Sequence, residues 1–138
     1  MIFGQESETL EFKKTTAEAR DAVIDVAAIL NKHGRGELYF GIRNDGVVVG
    51  QTVSGPTLRD VSRALTENIK PQIYPTVEMV NIDYKDCIRV QFEGESAPYF
   101  AYGKAYIRVA DECKQISPEE LESLFRKKRG IASPWDSA

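Results

Sequence analysis

The stretch ELYFGIRNDGVVVGQ, residues 37–51, predicts two β-strands joined by a tight turn, and the rest of the domain is organised around it. Every second residue from Leu38 to Ile42 is apolar, which is the period-2 pattern of a strand with one buried face. Asn-Asp-Gly at 44–46 tolerates the positive φ angles of a hairpin turn, and the valines at 47–49 predict the return strand. Gly41 interrupts the first strand, where glycine typically marks a bulge or a close approach by another backbone or a ligand.

Helix and strand patterns on both sides of this stretch extend the prediction. Residues 17–32 carry an apolar stripe at three- and four-residue spacing, and residues 58–69 and 118–129 repeat it after the capping residues Ser54 and Ser117. Further strands are predicted at 9–13, 76–84, 87–93, 99–102 and 105–109. The order β-α-β-β-α-β-β-β-β-α mixes hairpins with helices. It predicts an α+β fold, a mixed or antiparallel sheet built from hairpins with about three packed helices.

Length and composition place the chain among globular domains. Its 138 residues suffice for one domain with a core, and a hydrophobic content of 42% with 28% charged residues excludes wholesale disorder. No apolar run is long enough to cross a bilayer and the N-terminus lacks a signal-peptide pattern, so we expect a cytoplasmic protein with no membrane partner. A net charge of −3 argues against bulk attraction to nucleic acid but leaves room for a local basic surface.

The domain is expected to span residues 1–129. Residues 130–138 are interpreted as a linker, or as the start of a C-terminal region absent from this chain. Trp135 stands in that tail among small residues, and an apolar ring in a polar tail usually packs against something.

Cysteine and histidine do not suggest a zinc site, because one histidine and two distant cysteines lack the close spacing of metal ligands. Cys87 falls in a strand pattern and is expected to be a buried small hydrophobe. Cys113 is expected to be a free thiol in a polar loop.

An acidic group near the start of the chain offers one candidate site. Glu6, Glu8 and Glu11, with Asp45 in the hairpin turn, are carboxylates that could converge on a divalent cation, which would polarise a phosphodiester and generate hydroxide. Glu6 and Glu11 would meet only if the chain bends at about 7–9, since a straight strand places them on opposite faces. The alternative, favoured by composition alone, is a solvated acidic segment and an ordinary turn.

Basic and aromatic residues offer a second candidate site. Cations interleaved with aromatic rings suit nucleic-acid backbones and unstacked bases. The alternative is an exposed sheet face carrying the usual strand-forming tyrosines, and the residues alone do not decide between the two. The set consists of Lys13, Lys14 and Arg43 together with Tyr102, Lys104, Tyr106 and Arg108, the last four sharing one parity if the late hairpin is regular.

The whole pattern resembles the Schlafen AlbA-type domain family, which is also called divergent AAA. The resemblance rests on ESETLEFKK, ILNKHGRGELYFGIRNDGVVVGQ and APYFAYGKAYIRVADECKQISPEELESLF, and covers about residues 6–129. It implies a compact α+β domain that binds RNA or DNA. In the vertebrate Schlafen branch, two such lobes form a clamp with endoribonuclease activity toward structured RNA such as tRNA. Prokaryotic relatives often place the domain ahead of another module and are described as transcriptional regulators.

The resemblance also implies a metal site, because the vertebrate enzymes hold a divalent cation with three carboxylates. The two glutamates of their E-x4-E motif correspond to Glu6 and Glu11, and the third acid corresponds to Asp45, so Mg²⁺ or Mn²⁺ is the implied cofactor. Arg43 stands where many relatives carry an acid, which counts against metal binding here. Some prokaryotic relatives are described as ATP-binding proteins, but no nucleotide-binding motif is present in these residues, so ATP binding is not expected here.

Three hypotheses follow. The leading one is a nucleic-acid-binding domain, RNA or DNA, serving as the N-terminal module of a prokaryotic regulator. Its phosphate contacts would be Lys13, Lys14, Arg43, Lys104 and Arg108, with Tyr102 and Tyr106 stacking on bases. The second is a metal-dependent endoribonuclease with Glu6, Glu11 and Asp45 as catalytic and metal-binding residues. The third is a protein-interaction or assembly module that uses a sheet edge or the Trp135 tail, and a homodimer would supply the second lobe of a clamp.

Overall fold

The structure is a computed structural model that describes residues 2–128. Within them, three α-helices and two four-stranded sheets form the α+β fold predicted from the sequence. The helices are α1 (Ala19–His33), α2 (Gly55–Asn68) and α3 (Pro118–Lys128), and a 3₁₀ turn, Thr16–Glu18, precedes α1. The strands are β1 (Leu10–Lys13), β2 (Arg35–Phe40), β3 (Ile69–Lys70), β4 (Thr76–Ile82), β5 (Lys85–Glu93), β6 (Phe100–Ala101), β7 (Lys104–Val109) and β8 (Glu112–Gln115). The predicted linker, residues 130–138 with Trp135, lies outside the described residues.

Sheet 1 has the strand order β1-β2-β5-β4 and is mixed, because β1 runs parallel to β2 while the other pairs are antiparallel. Sheet 2 has the order β3-β6-β7-β8 and is antiparallel throughout. The sequence therefore predicted the sheet types correctly. It predicted neither β3, which has only two residues and begins with the buried Ile69 that the sequence assigned to the end of a helix, nor β8, which is short and polar. Cys113, assigned to a loop from the sequence, lies on β8.

Helix α1 supplies much of the core, since its residues Ala22, Val23 and Val26–Leu30 are buried against both sheets and α2. Burying each such aliphatic side chain contributes roughly 1.5–3 kcal/mol relative to exposure. The helix ends where the sequence predicts it. Gly34 takes a left-handed conformation with φ 77°, and its N–H donates to the Leu30 carbonyl at 3.0 Å. Ser54 caps α2 through a reciprocal hydrogen-bond pair with Thr57.

The predicted central hairpin is only partly correct. Its turn is present, with the Gly46 N–H donating to the Arg43 carbonyl and the Arg43 N–H donating to the Val47 carbonyl. The return segment pairs only briefly and does not form a full strand: Val48 bridges Ile42 and Val47 bridges Ile2, whereas the strand neighbours of β2 are β1 and β5. The physical reason is that β1 and β5 already occupy both edges of β2.

Gly41 marks the close approach that the sequence predicts. Its φ is 103°, and a Cβ at this position would lie 2.9 Å from Cys87 Sγ and 3.3 Å from the Gly50 backbone. Cys87 is fully buried as expected, in a smaller apolar cluster on the other face of sheet 1 with Phe12 and Tyr39. Phe3 covers this cluster, its ring centroid 4.8 Å from that of Tyr39. Among residues 2–128, no helix is both long and apolar enough to span a membrane.

Candidate functional site

The entry segment bends and brings Glu6 and Glu11 together. The Ser7 N–H donates to the Leu10 carbonyl, which folds residues 7–10 into a turn before β1. As a result both carboxylates accept from the same donor, the Phe12 N–H, Glu6 Oε2 at 3.0 Å and Glu11 Oε2 at 3.1 Å. The bend on which their convergence depended is therefore confirmed. The two carboxylates occupy the Phe12 N–H and the Ser7 N–H occupies the Leu10 carbonyl, so two outward-facing backbone groups of β1 are blocked from pairing with another strand.

Glu11 is committed to an ion pair inside the protein. It is 4% exposed, and its Oε1 lies 2.8 Å from Nη1 of Arg108, which is fully buried. Nη2 of Arg108 also donates to the Ser7 carbonyl at 3.0 Å. The expectation that Arg108 lies on an exposed face and contacts phosphate is wrong, because its guanidinium is turned inward to neutralise a carboxylate.

Asp25 extends this pair into a network that the sequence analysis missed. Its Oδ1 lies 3.5 Å from Arg108 Nη1 and accepts from the Cys113 thiol at 2.8 Å, while its Oδ2 lies 2.7 Å from Lys13 Nζ. The Lys13 contact is an ion pair without hydrogen-bond geometry, since Asp25 Oδ2 has no hydrogen-bond partner among the described residues. The signal in the sequence was an acid inside the apolar stripe of α1, because a carboxylate on a buried helix face requires a cation.

Burial sets the protonation of the groups around this network. It raises the pKa of the Glu6 carboxyl, partly offset by the hydrogen bond from Phe12 and by the charge of Lys13. It raises the pKa of the Cys113 thiol to about 12, reinforced by the neighbouring Asp25 carboxylate. The Cys113 thiol is therefore neutral at physiological pH and unreactive as a nucleophile.

The predicted three-carboxylate metal site does not form. Asp45 lies on the surface with Arg43, whose Nη2 is 2.6 Å from Asp45 Oδ2. No group of three or more His, Cys, Asp or Glu side chains within residues 2–128 is placed to hold a metal ion. Glu11, moreover, is already neutralised by Arg108. The donor set therefore does not fit Mg²⁺ or Mn²⁺.

Two of the predicted cations, Lys14 and Arg43, share an open cleft. This cleft, the Lys14–Arg43 cleft, has a volume of about 530 Å³ and is also lined by Glu18, Asn44 and Asp45. Lys14 is exposed and forms no ion pair within residues 2–128, whereas Arg43 and Asp45 are about half exposed. Lys13, although adjacent in sequence, points to Asp25 and its side chain is 13% exposed. The cleft thus holds two cations and two carboxylates.

The aromatic members of the predicted set lie at the β6–β7 hairpin. Tyr102 occupies the turn with φ 52°, and the Arg20 guanidinium lies 4.1 Å from its ring centroid in a cation–π contact. Lys104 follows on the exposed end of β7. Tyr106 is half-buried against the core, and its carbonyl accepts from Asn31. Of the residues predicted to share one exposed face, only Tyr102 and Lys104 therefore lie together, at the tip of the hairpin.

A larger groove lies elsewhere and contains none of the predicted site residues. It has a volume of about 830 Å³ and opens on sheet 1, where the first residues of β2 face the last residues of β5. Arg35 stands there with two carboxylates, Glu37 and Glu93. This excess of negative charge disfavours a polyanion, so the groove is not assigned to nucleic acid.

Comparison with known proteins identifies the family. A family model described as "Schlafen, AlbA_2" matches residues 6–117. No curated protein matches the chain. Among solved structures, the DIP2311 protein from Corynebacterium diphtheriae is similar in fold, with a TM-score of 0.69 and 16% sequence identity. The match covers 88% of this chain and 24% of that one, so this chain spans about a quarter of that protein's length. Since the family match extends over most of its residues, the chain belongs to the Schlafen AlbA_2 family.

Proposed function

We propose that this domain binds nucleic acid, RNA or DNA, through a surface that includes the Lys14–Arg43 cleft. Membership of the Schlafen AlbA_2 family supports a domain of nucleic-acid-binding type. The observation that carries the proposal is that Lys14 and Arg43, far apart in sequence, line one open cleft with the amide of Asn44. Ammonium, guanidinium and amide groups are the donors that phosphate oxygens accept from.

The two carboxylates of the cleft do not prevent this role. Both side chains of the Arg43–Asp45 pair are about half exposed, and such surface pairs stabilise a protein by only about 0–1 kcal/mol. A phosphate can therefore take the place of Asp45 at the Arg43 guanidinium at little energetic cost. Glu18 is held by the Lys14 backbone N–H at 2.9 Å, which leaves the Lys14 ammonium free to turn toward a ligand.

The β6–β7 hairpin tip provides the second contact of the proposal. Lys104 is exposed there, and the Tyr102 ring already stacks against Arg20. A base stacked on such a pair would extend an existing aromatic–guanidinium contact. Arg108 has no part in this surface, because it is buried.

We further propose that the domain is one module of a longer prokaryotic regulator acting in the cytoplasm. The support is that the same fold accounts for 24% of the DIP2311 chain. The endoribonuclease alternative receives no support from the carboxylates, since Glu11 is paired with Arg108 and Asp45 with Arg43.

The test is a fluorescence anisotropy titration with labelled single-stranded RNA, single-stranded DNA and a tRNA at several salt concentrations. We expect binding that weakens with salt, and a double variant Lys14→Ala/Arg43→Ala that binds more weakly. If both cations contact phosphates of a single strand, the slope of log K against log salt should fall by roughly 1.4, at about 0.7 per contact.

The matched control is Arg63→Ala, which removes an exposed arginine that is also in a surface ion pair, on α2. It should leave both affinity and slope close to those of the unmodified protein. Absence of salt-sensitive binding to all three probes would refute the proposed function. Equal losses in the Arg63 variant and the cleft variant would refute the cleft as its site.

A further inference from the structure

Strand β4 leaves one edge of sheet 1 open. Residues 76–82 pair only with β5, and within residues 2–128 they make no backbone hydrogen bond on the other side. At the opposite edge of the sheet, Glu6, Glu11 and Ser7 block two backbone groups of β1. The edges of sheet 2 are strands of two and four residues. The β4 edge, Thr76–Ile82, is thus the long unpaired edge of the described fold.

This edge lacks the residues that usually protect one. Natural edge strands carry lysines, prolines or bulges that prevent pairing with another chain. The β4 sequence TVEMVNI contains neither lysine nor proline, and Pro75 stands just outside it, directly before the strand. Its one charged side chain, Glu78, is neutralised by Arg89 on β5, whose Nε donates to Glu78 Oε1 at 3.0 Å.

Exposed apolar side chains lie in β4 and just beyond both of its ends. Tyr74 is 83% exposed, Met79 is 52% exposed and Tyr84 is 97% exposed. Met79 lies in the middle of β4, Tyr74 lies two residues before the strand and also lines the large groove, and Tyr84 lies in the turn after the strand. A large apolar side chain exposed in the middle of an open strand edge, with exposed rings beyond both ends of the strand, marks an interaction surface.

We propose that the β4 edge pairs with the β4 edge of a second copy of this chain, antiparallel and about a two-fold axis at Met79. In this register Met79 faces Met79 of the second copy, Glu78 faces Val80, and Thr76 faces Ile82. Continued past the ends of the strand, the same register places Tyr74 at the level of Tyr84 of the second copy. The two copies of sheet 1 join into one continuous eight-stranded sheet.

The occupant is a second copy rather than an unrelated chain because the edge is complementary to itself. A two-fold interface uses the same patch on both subunits, and an antiparallel register about Met79 sets Met79 against Met79 and Thr76 against Ile82, so both copies contribute the same residues. The register places no like charges directly opposite, and each Glu78 arrives with its own Arg89. This inference does not depend on the proposed function.

Light scattering during size-exclusion chromatography, over a wide range of protein concentrations, tests the proposal. We expect a dimer at high concentration. Met79→Lys should raise its dissociation constant at least about a hundredfold, because two lysines then face each other at the axis. Tyr84→Asn should weaken the dimer without disturbing the fold, since Tyr84 has φ 62° and asparagine tolerates that conformation. Val109→Lys, on the exposed end of β7, is the matched control and should dimerise normally.

Hydrogen exchange gives a second measurement that does not depend on the variants. The β4 amides should exchange more slowly at concentrations where the dimer forms, and the β8 amides should not change. A monomer at all concentrations would overturn the proposal. So would a dimer that survives both Met79→Lys and Tyr84→Asn, or one whose formation leaves β4 exchange unchanged. A circular dichroism melt of each variant separates loss of dimer from loss of fold.

Discussion

Arg108 Nη1 lies 2.8 Å from Glu11 Oε1 in the interior, and this ion pair joins residues that are 97 positions apart. It ties β1 of sheet 1 to β7 of sheet 2 and thereby fixes the two sheets to each other. Because both partners are buried, neither charge can be solvated if the other is removed. The E-x4-E segment therefore has a structural role here, whatever ligand the domain takes.

Removing one partner of this pair should destabilise the domain strongly. We expect Glu11→Leu and Arg108→Met each to lower the free energy of unfolding by about 3–5 kcal/mol, because Arg108→Met leaves the buried Glu11 carboxylate without its cation and Glu11→Leu leaves buried Arg108 with only Asp25, 3.5 Å away. The free energy of unfolding of the double variant should fall by much less than the sum of the two single losses, since both charges are then absent. Urea denaturation of the four proteins gives the coupling energy of the double-mutant cycle.

The competing expectation for Glu11 is that of a metal ligand, and the same experiment separates the two. A metal ligand on the surface can be replaced with little loss of stability in the absence of metal. If Glu11→Leu unfolds at the same urea concentration as the unmodified protein, the structural role assigned to the pair is wrong.

Glu6 gives a prediction about pH. Burial raises the pKa of its carboxyl above the ordinary value of 4.5, so the folded state favours the protonated form. The stability linked to this group is complete below about pH 4.5 and is lost as pH rises through the raised pKa. Glu6→Gln keeps an acceptor for the Phe12 N–H without the charge. It should therefore melt at a temperature equal to or higher than the unmodified protein at neutral pH, with the difference vanishing in acid.

The control for Glu6 is Glu95→Gln, which removes an exposed carboxyl in the loop before β6 and should leave the melting temperature at neutral pH unchanged. Thermal melts of both variants from acidic to neutral pH provide the comparison. A Glu6→Gln variant whose deficit grows as pH rises would show that the folded protein prefers the charged carboxylate.

Glu8 should behave in the opposite way. It accepts from Lys32 at 2.7 Å and from the Ala110 N–H at 3.0 Å and pairs with His33, and these contacts lower its pKa to about 2, the Lys32 hydrogen bond most strongly. Its stabilisation is present above about pH 4.5 and is lost as pH falls through about 2. Glu8→Gln should melt lower than the unmodified protein at neutral pH, and the gap should close in acid and shrink with added salt. A gap that is constant from neutral pH to pH 2 would contradict this.

Local features of the fold could be predicted from the sequence, and long-range ones could not. The apolar stripe of α1, its end at Gly34 and the cap at Ser54 depend on neighbouring residues, so their pattern is visible in the chain. The inward turn of Arg108 depends on Glu11 and Asp25, which lie on other elements. Read alone, the alternation of β7 therefore suggested an exposed arginine.

The central hairpin illustrates the same limit within a short range. Asn44–Gly46 forms the predicted turn, but valine propensity at 47–49 did not produce a strand, because β2 was already flanked by β1 and β5. The β-propensity of residues 47–49 permits a strand, but a strand forms only where an edge of a neighbouring strand is free to pair with it. The candidate site shows the same difference between local and long-range features. Lys14 and Arg43 were predicted from the sequence as separate cations, and only the fold places them in one cleft.

Asn31 yields the last prediction, because its side chain joins α1 to sheet 2. Buried in α1, it donates from Nδ2 to the carbonyls of Tyr99 at 2.9 Å and Tyr106 at 2.7 Å, and its Oδ1 accepts from the Tyr99 N–H at 2.6 Å. Asn31→Asp keeps the shape of the side chain but replaces the donating Nδ2 with a carboxylate oxygen, which cannot donate to the carbonyls of Tyr99 and Tyr106. We expect the free energy of unfolding to fall by roughly 3 kcal/mol or more, as measured by urea denaturation. Acid should partly restore stability, since a protonated carboxyl can donate to one carbonyl, whereas Asn31→Ala should show no such recovery. Equal pH profiles for the two variants would show that the donated hydrogen bonds do not determine the loss.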